Sequence, residues 1–367
     1  MDSSLKYANG ESDVRSKIPS EVLKILTLKL SLPEHLDDVC VRQLKGALTN
    51  EVYECSWIES TEYCDNRDAN EKFDVKQKPQ DKTNQRKVVL VRIYGNGVDN
   101  FFDREDEIQT FEAMSKAGHG PRLLARFSTG RIEEFLHART LTAKDLRDPD
   151  VSARIAVKLR EFHQLPIPGE REARIWKRLM DWLREALSMC TDEHIVEFNV
   201  KILGSEIEDL KVRSSEFKSR IGFCHNDLQY GNIMMDDKDG SLTIIDYEYA
   251  TYNPVSYDIA NHFCEMAANY HSDTPHLLDF SKYPDVQERQ RFIRAYLGSP
   301  DMDISQSRVD KLSSEVDFYE MPSHIHWALW GLISHYVNGI DFDYLEYARQ
   351  RLNKYYILKQ HQACSTE

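Results

Sequence analysis

Hydrophobic and polar residues alternate in five short segments in the first part of the chain, with the period of two that is typical of half-buried strands. These segments are residues 38–45, 51–59, 87–95, 122–128 and 130–136. Apolar residues recur at helical spacing in 18–30 and in 101–116. The pattern predicts a five-stranded antiparallel sheet, with 101–116 as its main accompanying helix.

From about residue 142 the pattern changes to the longer period of amphipathic helices. Thr142 is a candidate helix N-cap. Helices are predicted at residues 151–163, 171–190, 194–217, 254–270, 307–337 and 342–359. We expect the 307–337 segment to break at Pro322, because proline has no backbone N–H to donate.

The two patterns divide the chain into a small lobe over residues 18–140 and a large, mainly helical lobe over 141–367. Residues 1–17 are polar throughout and are predicted to be disordered. The stretch 65–87 is dense in charged and amide side chains and predicts a mobile insert within the small lobe. The predicted fold class is α+β with two lobes.

The composition is ordinary for a globular protein, since 41% of the 367 residues are hydrophobic and 29% are charged. No secretory leader pattern opens the chain, and the apolar stretch 327–340 is too short to span a bilayer. The seven cysteines are scattered without a CxxC spacing, which favours reduced thiols in the cytoplasm over disulfides or a zinc site. The net charge of −14 argues against a nucleic-acid partner.

The candidate chemistry is concentrated in residues 221–265. Asp227 follows a short apolar run, Asn232 comes five residues later, and Asp246 follows a second apolar run. Phosphoryl transfer needs one carboxylate to orient the attacking hydroxyl and oxygen ligands to hold Mg²⁺. We assign the first role to Asp227 and the second to Asn232 and Asp246. Protein kinases have these groups in the same order and at similar spacing. An Asp and an Asn at this spacing are common in turns, so the prediction depends on the triple.

Three longer motifs, CHNDLQYGNIMM, IIDYEYATYNPVSYDIANHFCEM and WALWGLIS, resemble the choline/ethanolamine kinase family and its choline kinase branch best. The resemblance extends from about Val39 to about Leu358. It implies a bilobal, protein-kinase-like fold with ATP and Mg²⁺ as cofactors. It also implies that Asp258 is the structural carboxylate that anchors the loop around Asp227.

In the small lobe the resemblance implies nucleotide contacts. Asn50 closes a strand-turn-strand tip of the kind that covers phosphates, and Glu134 lies in the segment that would be the hinge against adenine. The resemblance places Arg92 at the phosphates, the role that a lysine has in protein kinases. Its alternative role is that of a solvent-facing arginine on an edge strand. Glu107 is a candidate carboxylate partner for Arg92.

A quaternary ammonium cannot donate hydrogen bonds, so its recognition calls for aromatic faces and a nearby carboxylate. By spacing alone, Trp327 and Trp330 are typical of core packing, whereas the resemblance assigns them to an aromatic substrate pocket with Glu265 as its acid. Gln229 resembles the glutamine of choline kinases at this position. The same matching makes further aromatic residues candidates for the pocket, namely Tyr249, Tyr270, Phe342, Tyr344 and Tyr347.

The resemblance therefore predicts transfer of phosphate from ATP to choline, giving phosphocholine for phosphatidylcholine synthesis. Ethanolamine kinase and dual choline/ethanolamine kinase are the main alternatives, and an aminoglycoside is a more distant substrate. An inactive kinase-like binding module is the alternative from another class. The expected partner is a small molecule, with no nucleic acid and no membrane span. A homodimer is possible because the family often forms dimers.

Overall fold

The computed structural model describes residues 18–30, 39–44, 50–59, 85–95, 101, 104–298 and 304–365. By contacts, the chain divides into two compact units, Met1–Asn96 with Pro121–Leu136 and Gly97–Gly120 with His137–Glu367. The predicted disordered N-terminus, the tip glycine Gly46 and most of the 65–87 insert lie outside the described residues.

The first unit is built on a five-stranded antiparallel sheet with the order β1-β2-β3-β5-β4. Its strands are β1 Cys40–Leu44, β2 Asn50–Glu59, β3 Gln85–Tyr94, β4 Leu123–Phe127 and β5 Gly130–Glu134. The predicted sheet is therefore confirmed, and each strand lies close to its predicted segment.

One face of this sheet is covered by helix α1, Ser20–Leu30. Val22 and Leu26 of the helix and Tyr53 and Ile132 of the sheet are all fully buried in one cluster. Because alternate residues of a strand share a face, the period of two in the sequence provides the apolar side on which α1 packs.

The second unit contains two small sheets that frame the 221–265 region. Strands β6 Arg139–Thr140, β8 Ile233–Met235 and β9 Leu242–Ile244 form one sheet, and β7 Ile221–Cys224 pairs with β10 Thr251–Pro254 in the other. The polar turn between β8 and β9 is closed by the Gly240 N–H, which donates to the Asp236 carbonyl at 2.8 Å. Gly240 has a φ of +69°, which glycine adopts without steric cost.

Helices form the rest of the second unit. They are α2 Arg104–Ala117, α3 Pro149–Phe162, α4 Ile175–Met189, α5 Asp192–Glu197, α6 Leu203–Ser214, α7 Val255–Glu265, α8 Val286–Leu297, α9 Gln306–Val337 and α10 Tyr344–Ser365. Short 3₁₀ turns occur at Asp145–Arg147, Val200–Ile202, Tyr230–Asn232 and Phe280–Lys282. Helix α9 packs against α7 and α10 and carries both predicted pocket tryptophans.

The predicted break at Pro322 is wrong, because α9 continues through it as a single helix. A proline inside a helix costs about 3 kcal/mol. The neighbouring Tyr319, Met321 and Ile325 are at most 2% exposed. The burial of this segment on several sides offsets the missing hydrogen bond, so the helix does not end there.

Two further predictions differ from the structure in detail. The segment 194–217 is not one helix, since the left-handed residue Asn199 (φ 50°) separates α5 from the turn that leads into α6. Thr142 does not cap a helix, since its hydroxyl donates to the Asp145 carboxylate at 2.7 Å; α3 is capped instead by Asp148, whose carboxylate accepts from two backbone N–H groups.

By contacts, helix α2 groups with the second unit, whereas the sequence analysis assigned it to the small lobe. The chain returns from the sheet at Leu136, close to the boundary expected near residue 140. Among the described helices, none is both long enough and apolar enough to cross a membrane.

Candidate active site

The loop formed by residues 225–232 is anchored by the carboxylate of Asp258 on α7. Asp258 Oδ2 accepts the His225 N–H at 2.7 Å, and Oδ1 accepts the Asn226 N–H at 2.7 Å. Burial by itself raises the pKa of a carboxyl, but hydrogen bonds from His163 and the backbone hold the pKa of Asp258 below its usual value. The predicted anchoring role of Asp258 is confirmed by this geometry.

Asn226 sets the direction of the loop just before its candidate base. Its backbone is left-handed with a φ of 65°, a conformation for which asparagine is enriched. Its side-chain Nδ2 donates to the Tyr249 carbonyl at 2.9 Å, and its Oδ1 accepts from Asn253 at 2.9 Å. Its own carbonyl accepts from Asn261 Nδ2 at 3.1 Å. These buried contacts fix the backbone from which Asp227 extends.

Asn232 and Asp227 are brought into direct contact. The Nδ2 of Asn232 donates to the Asp227 carbonyl at 2.9 Å and to its carboxylate at 3.0 Å. Because the amide nitrogen is held by Asp227, the amide oxygen lies on the opposite side, where it accepts from Gln229 at 3.3 Å. Gln229 also accepts the Gly231 N–H at 2.6 Å. Gln229, predicted as a substrate contact, therefore braces the 225–232 loop in this structure.

Four carboxylates lie close enough together to affect one another. Burial, followed by the charges of Glu265, Asp246 and Glu248, raises the pKa of Asp227 well above its usual value. Asp246 follows β9 in a left-handed conformation (φ 67°), and the preceding Ile245 N–H donates to the Asn232 carbonyl at 3.0 Å. The four carboxylates are therefore electrostatically linked.

Glu248 is a member of this group that the sequence analysis missed. It is 8% exposed and lies two residues after Asp246. That short spacing within the IDYEY motif was the only signal in the sequence. A carboxylate next to two tyrosines has no distinctive pattern by itself.

Glu265 is fully buried and already has a cationic partner. Its carboxylate accepts the Tyr270 O–H at 2.6 Å and forms an ion pair with Arg351 of α10. Arg351 is 0% exposed and also donates to the Tyr347 hydroxyl, at 2.8 Å from Nη2. The sequence analysis identified three of these four residues and missed the arginine. In this structure Glu265 is thus the acid of a neutralised buried network.

Six of the seven predicted aromatic residues form one cluster, whereas the seventh, Tyr270, contacts Glu265 and the ring of Tyr230. The ring centroids of Trp327 and Trp330 lie 5.7 Å apart, and Tyr249 lies 5.5 Å from Trp327. Trp327 is 5% exposed, and its indole N–H donates to Asn261 at 2.6 Å, whereas Trp330 is partly exposed. The rings within 6.4 Å of Trp330 include Phe342, Tyr344 and Tyr347. Trp330 and Phe342 are therefore the partly exposed rings of this cluster.

The predicted nucleotide contacts all lie in the first unit. Glu133 accepts from Arg92 Nε at 2.8 Å and from Arg131 Nε at 2.7 Å. Burial raises the pKa of Glu133, but the charges of Arg92 and Arg131 outweigh it and hold the pKa below its usual value. Glu134 accepts the Arg122 N–H at 3.2 Å, and Asn50 begins β2. The expected pairing of Arg92 with Glu107 stays a prediction.

The sequence of the chain is similar to a family model and to proteins of known sequence. A family model described as choline/ethanolamine kinase matches residues 41–356. "Probable choline kinase 2" of Arabidopsis thaliana is 49% identical over 97% of this chain and 98% of that protein. "Probable ethanolamine kinase" of the same organism is 35% identical over 74% of this chain and 73% of that protein.

The fold is also similar to that of a solved structure. The crystal structure of choline kinase from Cryptosporidium parvum Iowa II superposes with a TM-score of 0.75 at 26% identity. The match covers 95% of this chain and 97% of that one.

Proposed function

Because the chain belongs to the choline/ethanolamine kinase family, we propose that it transfers the terminal phosphate of ATP to choline, giving phosphocholine and ADP. One observation carries this proposal. Trp330, which is partly exposed and surrounded by aromatic rings, belongs to the same unit as the carboxylates around Asp227. Aromatic faces and carboxylates together suit a methylated ammonium that bears a hydroxyl.

Asp227 is the proposed base. The choline hydroxyl oxygen attacks the terminal phosphorus as the bond to ADP breaks, and the hydroxyl proton passes to the Asp227 carboxylate. The hydrogen bond from Asn232 at 3.0 Å holds that carboxylate in one orientation. The raised pKa of Asp227 arises from burial and from neighbouring carboxylates, so cations that enter the cluster favour its ionised form.

The donor set around Asp227 fits Mg²⁺, which prefers hard oxygen ligands. We propose that the Asn232 amide oxygen and the Asp246 carboxylate hold it. The amide nitrogen of Asn232 donates to Asp227, so its oxygen, which also accepts from Gln229, is the atom that would bind a metal. When bound, the ion neutralises charge on the phosphates. Arg92, Asn50 and Glu134 remain the proposed nucleotide contacts of the first unit.

Choline is favoured over ethanolamine by the aromatic cluster and by the higher identity to the choline kinase relative. A primary ammonium can be bound through the hydrogen bonds that it donates, whereas a trimethylated ammonium has no N–H and is bound through contact with aromatic ring faces. Gln229 contributes by bracing Asn232, which is a role that does not depend on the amine. We place the reaction in the cytosol, where thiols stay reduced, in agreement with the free cysteines of the described residues. There it would supply phosphatidylcholine synthesis.

The test is steady-state release of ADP with Mg²⁺-ATP and either choline or ethanolamine. We expect kcat/KM to favour choline by about tenfold or more, which corresponds to about 1.4 kcal/mol in the transition state. A preference for ethanolamine would keep the phosphotransfer chemistry and overturn the substrate. No turnover with either amine would favour the inactive binding module instead.

Trp330→Ala is expected to raise the KM for choline by about fivefold to thirtyfold while changing the KM for ethanolamine much less. The reason is the loss of a cation–π face worth about 1–2 kcal/mol. Trp330→Phe keeps a ring and is the matched control. For Trp327→Ala we also expect a higher KM for choline. Trp327 is nevertheless a poorer probe, because its indole N–H donates to the Asn261 side chain, which supports the 225–232 loop. Equal changes for both amines in Trp330→Ala would contradict the aromatic pocket.

A further inference from the structure

The second unit has a basic cavity that the proposed chemistry does not use. Its volume is about 480 Å³, and it is lined by the C-terminal part of α3, the segment before β7, the end of α8 and the start of α9. Five of its lining side chains are cations, namely Arg160, Lys218, Arg220, Arg308 and Lys311. In a chain of net charge −14, five cations around one cavity are a marked local reversal of charge.

One acidic side chain also lies in the lining. Glu315 is 6% exposed, and its carboxyl has hydrogen bonds with Ser219 and Ser256. Burial raises the pKa of Glu315 above its usual value. Five cationic side chains and one acidic side chain thus line the cavity.

Two of the cations are held in place by one tyrosine. Arg160 Nη1 donates to the Tyr296 carbonyl at 3.4 Å, and Arg220 Nη2 donates to the Tyr296 hydroxyl at 2.6 Å. The Arg220 guanidinium also lies 6.0 Å from the centre of the Tyr296 ring. A guanidinium with a fixed plane is suited to phosphate oxygens, because its N–H groups match them in pairs.

We propose that this cavity is a second ligand site, which binds a ligand with two or more phosphate groups. The ligand is either a small soluble anion or the headgroup of a lipid. The volume of the cavity lies in the range of small-molecule sites. Its charge requires more than one negative group for neutralisation, and its arginines favour phosphate geometry. A soluble polyphosphorylated compound and an anionic lipid headgroup share this chemistry.

The site is connected to the 225–232 loop by a hydrogen-bonded relay. Arg220 donates to the Tyr296 hydroxyl, which lies 2.7 Å from His163 Nδ1. His163 Nε2 lies 2.9 Å from the Asp258 carboxylate, and Asp258 holds the backbone of the loop. Burial lowers the pKa of His163, so its ring is neutral and can accept from Tyr296 while donating to Asp258. Occupancy of the cavity is thereby coupled to the position of the loop.

The binding test uses inorganic triphosphate, titrated into the full chain with saturating Mg²⁺-ADP and choline so that the candidate active site is filled. We expect the double variant Arg308→Glu/Lys311→Glu to raise the Kd by about tenfold or more. Lys218→Glu, on a separate segment, should weaken binding in the same direction. The control is Lys177→Glu/Arg184→Glu, which reverses two exposed charges on α4 and leaves the cavity intact.

Vesicles of neutral phospholipid, with and without a phosphatidylinositol bisphosphate, distinguish the two sources of ligand. Sedimentation of the wild type and the control with the anionic vesicles, but not of the Arg308→Glu/Lys311→Glu variant, supports a lipid headgroup. Saturable triphosphate binding with the same variant pattern supports a soluble ligand. Failure of the wild type to bind either probe, or equal binding by every variant, overturns the site.

The relay is tested by Tyr296→Phe, which keeps the ring and removes the hydroxyl. This part rests on the proposed function, whereas the binding test does not, so the two can fail separately. We expect triphosphate to change the wild-type kcat at saturating ATP and choline, and Tyr296→Phe, once it is saturated with triphosphate, to lose that response. An unchanged wild-type kcat with the site filled, or an equal response in the variant, overturns the coupling.

Discussion

Replacing Asp227 with asparagine is expected to lower kcat by about 10²–10⁴-fold, the range that general base catalysis contributes. The substitution keeps the size of the side chain and removes its negative charge. Its new amide oxygen can still accept from Asn232, which lies 3.0 Å from the present carboxylate. The fold should therefore be retained, and nucleotide affinity should change little. The measurement is ADP release at saturating Mg²⁺-ATP and choline, together with a nucleotide titration.

Asp209→Asn on α6 is the control for loss of one carboxylate, since its side chain is 59% exposed and its ion pair within the described part of the chain is with Arg213 at 3.6 Å. Its kcat should equal that of the wild type. If Asp227→Asn keeps more than about a tenth of wild-type kcat, the loss is below the range for a general base and the assignment fails. If nucleotide binding falls in parallel with kcat, Asp227 acts through the metal site instead of through the hydroxyl.

Much of this region is predictable because its contacts are local in sequence. Asp227 and Asn232 are five residues apart on one loop, and Asp246 follows a strand that pairs directly with the end of that loop. Short spacing and the hairpin turn bring them together before any tertiary packing is considered. The sheet of the first unit was predictable for the same reason, since its strands alternate in polarity and pair mainly with near neighbours.

The parts that failed depend on packing between distant segments. Pro322 predicts a helix break locally, and only burial against α7 and α10 keeps α9 continuous. Arg351 lies 86 residues from Glu265, and nothing in a helix rich in charge and aromatic residues marks this arginine as buried. Gln229 was assigned to the substrate by resemblance, yet the contacts of its side chain are hydrogen bonds that a motif does not specify.

Arg351→Met is expected to lower the free energy of unfolding by about 3–5 kcal/mol, which is the cost of leaving a buried charge without its partner. Glu265 is 1% exposed and would retain only the Tyr270 hydroxyl as a donor among the contacts described above. Urea unfolding followed by tryptophan fluorescence reports on this region, since Trp176, Trp182, Trp327 and Trp330 all belong to the second unit. Arg349→Met, on the same helix, removes an exposed arginine paired with Glu197 and Glu346 and should cost less than about 1 kcal/mol.

The double variant Glu265→Gln/Arg351→Met separates the stability of this pair from its use in binding. Removing both charges should recover most of the lost stability, because neither is then buried alone. Since Arg351 already offsets the charge of Glu265, we expect the KM for choline in this variant to stay within about fivefold of the wild type, or about 1 kcal/mol. A tenfold or larger rise with stability restored would instead make Glu265 the acid that holds the amine, as the sequence motif predicts. If the double variant is as unstable as Arg351→Met, the stability comes from the packing of Arg351 on the Tyr347 ring and not from its ion pair with Glu265.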